Sequence, residues 1–202
     1  MIEDISVELH LPSMALATLY ETAWKRVAAA AITTPTSGDW FQVACIIVAT
    51  CALSLPVGLQ TKFFKWEPMK LATVIPAAMF TIIAPGFTEE AIFRAALLPH
   101  PSVNPKAFPA SFSQFALSAA LPLAIFVAYH LVNPDRRART VFWDARFLAL
   151  AALLGAGCTT SYYVTSGSLV AAALTHWLPV NLWLFLLGGW NKVQPSEGTK
   201  KE

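Results

Sequence analysis

Charge is what this sequence lacks most. Lys, Arg, Asp and Glu supply 13% of its 202 residues, against about a quarter in soluble domains. Apolar residues supply 56%, and the mean hydropathy is +0.55. A soluble fold cannot hide that much apolar surface and still cover itself with polar groups. The net charge of +2, with no basic patch interleaved with aromatics, excludes a nucleic-acid partner. Several catalytic signatures are missing as well. There is no HExxH of a zinc protease and no GxSxG-like turn. Ser168, in SGSL, reads as the N-cap of a helix that also carries His176. An aspartyl intramembrane protease needs two Asp within spans, but Asp135 and Asp144 both fall in a basic loop. Cys45, Cys51 and Cys158 lie in apolar runs without CxxC or His spacing, and they read as buried thiols. Glu3, Asp4 and Glu8 stand where a signal peptide would be basic, so no cleaved leader is expected. No internal repeat is visible, which weakens a transporter reading.

What is present is a series of long apolar runs. A bilayer core needs about 20 apolar residues in helical form. Five segments answer to that: 40–60, 71 through 87, 112–132, 147–164 and 168–187. A sixth helix is expected over 13–33, with Ser13 able to cap its start. There Leu16, Tyr20 and Val27 form a stripe, and Glu21 and Lys25 stand four apart. Charges in mid-segment favour a helix lying in the interface over a sixth span. Loops 61–70 and 133–146 and the tail after 188 are basic, while 99–111 holds only Lys106 and 165–167 holds no charge. This alternation predicts five spans with a cytoplasmic C-terminus. The expected fold is therefore all-α, a polytopic membrane helical bundle of five to six spans. Residues 1–39 form an N-terminal segment with the amphipathic helix, 40–190 the membrane domain, and 191–202 a disordered tail.

Ionisable groups inside spans are costly, about 2.5–3.5 kcal/mol each, and so mark function. In PGFTEEAIFR, Pro85 and Gly86 should break the second segment, and Thr88 can cap a fresh turn. Glu90 and Arg94, four apart, lie about 40° apart around a helix, whereas Glu89 and Arg94 lie about 140° apart. Glu90 is thus the partner of Arg94, and Glu89 is left free to act as a base. A helix cap with an ion pair at the membrane edge is the plainer alternative. Phe126 and His130 share a face in FVAYHLV. His176 lies mid-span in LTHWLPVNLW, with Asn181 nearby. A carboxylate and a histidine can activate water, and a second histidine with an amide can stabilise an oxyanion. Taken alone, His130 also reads as an interfacial residue, and His176 as a hydrogen bond between helices. Glu89, Glu90, His130 and His176 also form a set able to hold zinc or iron, an alternative to metal-free chemistry.

These residues resemble the type II CAAX prenyl endopeptidases, grouped with the Abi immunity-like proteins as the CPBP family. The resemblance covers about residues 71–190. EExxxR appears as Glu89–Arg94, FxxxH as Phe126–His130, and the late His as His176. It implies that Glu89 with His130 activates the attacking water, and that His176 with the following amide forms the oxyanion hole. It demands no metal cofactor. The implied function is a glutamate-type intramembrane endopeptidase, with the bilayer, a peptide or protein substrate and possible membrane-protein partners around it. The alternative is an inactive scaffold or an immunity or assembly factor of the same fold. One departure stands out. The family's amide follows the His by four residues, where Val180 stands here, and Asn181 comes one later. A one-residue bulge at Pro179 would be needed to bring Asn181 round. A second concerns depth: on a regular helix Glu89 lies about 27 Å along its span, far from His130.

Overall fold

The computed structural model describes residues 5–132 and 138–194, with side chains from residue 15 onward. Six long helices build it: α1 (Ile5–Ile32), α2 (Ser37–Gln60), α3 (Leu71–Ala96), α4 (Phe112–Leu131), α5 (Ala145–Val164) and α6 (Leu169–Leu186). The last five are each long and apolar enough to cross a membrane. The chain is an all-α, multi-pass membrane protein, as its composition predicts. Single-turn helices follow α4 and α6 at Arg139–Phe142 and Gly189–Val193. The helix at 189–193 carries order past residue 190, and the remainder of the expected tail, from 195, lies outside the described residues.

Local chemistry explains the boundaries. Thr36 and Asp39 form a reciprocal capping box at the start of α2, and Asp144 accepts from the Arg146 amide at the start of α5. α1 begins at Ile5, so Ser13 lies inside it and not at its start. The residues ahead of Ser13 include strong helix formers, Glu8, Leu9 and Leu11, which extend the helix past a residue able to cap it. Ser168 does hold the N-cap position of α6, but its hydroxyl donates to Thr33 O at 2.8 Å. The cysteines divide. Cys158 is buried, while Cys45 is exposed and Cys51 half-buried, because α2 meets the bundle along one narrow face and turns the rest outward.

The three basic segments meet at one end of the bundle. Arg146 donates to Thr61 O at 2.9 Å, and the Lys192 ammonium lies 5.1 Å from the Phe63 ring centre. Phe63, Phe64, Val141, Phe147 and Leu187 pack beneath them. A second core of Ala95, Leu98, Phe115, Tyr162 and Leu169 lies at the nearly uncharged end. Small residues allow close helix approach between the two. A Cβ on Gly157 would stand 2.5 Å from Thr50 Oγ1 of α2.

His100 ties the uncharged end together. The Thr33 hydroxyl donates to Ala29 O at 2.9 Å, so its oxygen must accept from His100 Nε2, 3.1 Å away. Nδ1 then accepts from the Ser102 amide at 3.2 Å and faces its hydroxyl at 2.8 Å. Gly167, at φ +96°, lies so close that a Cβ would meet His100 Cδ2 at 2.4 Å. Arg26 reaches the same loop at Asn104 once that amide is oriented to accept, at 3.1 Å. A proton on Nδ1 would face the Ser102 N–H and break the latch. Burial lowers the His100 pKa from its ordinary 6.5, so the folded protein binds this proton less well than the unfolded chain. The stability it contributes is complete above about pH 6.5 and is lost as pH falls below it. The melting temperature in detergent should therefore drop more between about pH 7.5 and about pH 5 for the wild type than for His100→Gln. Parallel curves for the two proteins would remove His100 from the account.

Candidate active site

The site begins with an irregular helix. α3 is regular from Leu71 to Thr81, wound more widely over Ile82–Phe87, regular for Thr88–Glu90, and wide again over Ala91–Ala96. Ala84 leaves helical geometry altogether (φ −128°, ψ 109°), just before Pro85, and so the expected break is present. Thr88 does not cap a new helix there. Its hydroxyl donates to Pro85 O at 3.3 Å, because the chain is already helical at Phe87 and no fresh start needs a cap. Wide turns of this kind recur at functional sites, where they redirect side chains. The last regular turn before the break is held by α6. Trp177 Nε1 donates to Ala78 O at 3.0 Å, and Thr81 Oγ1 lies 2.8 Å from Asn181 Oδ1, placed to donate to it.

Glu89 and Glu90 separate as the helical angles predict. Glu90 and Arg94 are sealed, at 0% and 1% exposure, with Arg94 Nη1 donating to Glu90 Oε1 at 3.0 Å. Arg94 Nη2 donates to Gly155 O of α5 at 3.1 Å, and the guanidinium lies 4.3 Å from the Phe126 ring centre. Glu89 has no such partner on its own helix. It lines a cavity of about 640 Å³ together with His130 and His176.

His176 is gripped from one side and open on the other. Its Nδ1 lies 2.7 Å from Glu90 Oε1. A carboxylate only accepts, so Nδ1 carries the proton and Nε2 faces Glu89 Oε2 at 3.9 Å. That gap is too long for a direct hydrogen bond, and a single water beside it can bond both groups. His130 Nδ1 donates to Phe126 O at 2.9 Å, which leaves its Nε2 for the cavity. The Phe126 ring stands between the two histidines, with centres 5.0 Å from His130 and 6.1 Å from His176. The depth problem thus resolves into one shared cavity. Within it Glu89 is paired with His176, and His130 lies across an aromatic ring.

Asn181 is not brought to this cavity. α6 stays regular through Pro179, so no bulge corrects the 1-residue offset, and five residues place Asn181 about 140° from His176. Its carbonyl faces the Thr81 hydroxyl instead, on the wall of α3. The four candidate metal ligands do not gather either. Among the described residues the one close set is Glu90, Cys158 and His176, with ligand atoms within 4.8 Å. Glu90 Oε1 already engages both Arg94 and His176, so a cation there would have to displace an ion pair. The donor set fits a hydrogen-bonded network better than a metal centre.

Sequence reasoning missed Gly155, Trp177 and Thr81. Gly155 had one usable signal, its place in the small-residue run GAG inside a span. Trp177 and Thr81 had none.

Residues 71–182 match the model of the Rce1-like type II CAAX prenyl endopeptidases. The chain belongs to this family. The matched stretch is more than half of the 202 residues and contains Glu89, Glu90, Arg94, Phe126, His130 and His176. α1 and α2 lie outside it. No curated protein and no solved structure matches the chain. Within this Rce1-like chain, the sealed Glu90–Arg94 pair makes a stability test. Arg94→Met should cost about 3–5 kcal/mol, because it strands the Glu90 charge. Glu90→Gln combined with Arg94→Met should recover much of that loss in denaturant or thermal unfolding. A single variant as stable as the wild type would mean the pair is not a structural support.

Proposed function

We propose that the chain is an intramembrane endopeptidase of the glutamate type, with Glu89 as the general base. The observation that carries this reading is the separation of the two carboxylates. One is buried in an ion pair, and the other faces a cavity with a histidine ring nitrogen 3.9 Å away. In the reaction Glu89 takes a proton from a water, and the water oxygen attacks the peptide carbonyl carbon. The carbonyl electron pair moves to oxygen, and His176 in its protonated form donates to that oxyanion. The C–N bond then breaks, and Glu89 returns its proton to the leaving amine. His130 Nε2, which is left for the same cavity, assists with the water or the leaving group.

The substrate is a peptide bond in, or close to, a membrane-held segment. Phe63, Phe147 and Trp183 line the cavity toward the basic end. Phe80 and Ile92 also line it and are exposed on the outer surface of the bundle, which supports entry from the bilayer. The basic loops support a cytoplasmic C-terminus, and the charges within α1 support its lying in the interface. Asn181 stands away from the cavity, and this keeps a scaffold or assembly role as the second reading.

Two substitutions separate the readings. Glu89→Gln should lower cleavage of reporter segments in proteoliposomes by about 10²–10⁴-fold while leaving the melting temperature near wild type. If a cellular role depends on the protein and survives Glu89→Gln, the scaffold reading replaces the enzyme. Asn181→Ala should leave cleavage within a few-fold of wild type and cost about 1 kcal/mol of stability. A loss as large as that of His176→Ala would return Asn181 to the oxyanion site.

A further inference from the structure

We infer that Gly155, in α5, is a positioning residue for the whole catalytic group: its missing side chain lets Arg94 hold Glu90 and Phe126 where they orient His176 and His130. The inference rests on the proposed hydrolase reading for its kinetic consequence and on geometry alone for its structural one.

The contacts around Gly155 leave no room. A Cβ there would stand 2.6 Å from Leu123 Cδ1, 2.8 Å from Arg94 Nη2 and 3.0 Å from Phe126 Cδ1. Leu123 ends in a flexible methyl and can turn away. Arg94 has no such freedom. Its Nη2 donates to the Gly155 carbonyl, its Nη1 donates to Glu90, and its plane covers Phe126. All three partners are held by the same planar fork, so moving one donor moves the others. Glu90 Oε1 also engages His176 Nδ1 at 2.7 Å, so a shift of Arg94 is passed to the ring that faces Glu89. Phe126 passes the same shift to His130 through its ring edge. A residue that touches no substrate thus sets the angle of both histidines. Gly157, two positions on, is equally tight, but it presses on Thr50 of α2 and on no member of the site.

The test uses the full chain in micelles and proteoliposomes. The four histidines, His10, His100, His130 and His176, are labelled with ¹⁵N so that ring signals report tautomer and hydrogen bonding. Gly155→Ala is made alone and with Leu123→Ala, which removes the flexible clash, so that a folded variant is available if the single one fails. Gly157→Ala serves as the packing control. The expected result is that the double variant folds and shifts the His176 and His130 signals but not that of His100. Turnover should fall on the order of a hundredfold, chiefly in kcat. Gly157→Ala should leave both site signals in place. Wild-type His176 and His130 signals in the double variant would overturn the inference, as would equal shifts from Gly157→Ala. Shifted signals in a protein whose wild type cleaves nothing would uphold the positioning role and remove the hydrolase reading.

Discussion

The Arg94–Glu90 pair is the constraint around which the membrane domain is arranged. Two opposite charges with 1% and 0% exposure are tolerable inside an apolar bundle only where close polar partners offset their loss of water. Arg94 meets this demand with one carboxylate, one backbone carbonyl from another helix and one aromatic face. Each partner constrains its own element: Glu90 the short regular turn of α3, Gly155 the backbone of α5, and Phe126 the ring that separates the two histidines on α4 and α6. The wide turns on either side of Thr88–Glu90 let α3 turn Glu90 inward toward this pair and Glu89 toward the cavity.

Much of this was legible in the residues. Five apolar runs gave five span-length helices, because length and hydropathy are set by the bilayer and leave few alternatives. The pairing of Glu90 with Arg94, and the freedom of Glu89, followed from helical angles alone. It survived the wide turns because both residues still lie within one turn of each other. Basic and uncharged loops sort to opposite ends as the sequence pattern required. The motif pair Phe126 and His130 was recognisable, although the role of the Phe126 ring as a partition, and of its carbonyl as the holder of His130, was not.

What stayed hidden depends on three-dimensional company. Asn181 looked like half of an oxyanion hole because a nearby proline offered a way to correct its register. α6 absorbs Pro179 without adding a residue, and the irregularity appears in α3 instead. The break expected at Pro85 and Gly86 is present in α3, but nothing local showed that Pro179 would leave α6 regular. Pro179 stands inside one long apolar run, whereas Pro85 is preceded by Ala84 in extended geometry and followed by Gly86. A Cβ on Gly86 would meet Thr81 O at 3.1 Å. The tightness at Gly86 marks the place where the backbone must come close, and a glycine beside a proline was the one local hint of it. Ser13 failed for a related reason: a capping residue ends a helix only when what precedes it cannot continue one.

The position of Asn181 bears on chemistry as well as on register. Placed against Thr81, it secures the last regular turn before the break in α3, together with Trp177. In the proposed reaction, stabilisation of the developing oxyanion would fall to His176, whose Nδ1 is held by Glu90 and whose Nε2 faces Glu89. Protonated on both nitrogens, the ring would donate to the oxyanion from Nε2 and lie close enough to Glu89 to share its water, so one ring would take two roles. His130, held to Phe126 O, would assist with the water or the leaving group. The proposed site therefore depends on how firmly His176 is aimed, and that aim is set by Glu90, Arg94 and the bare backbone of Gly155.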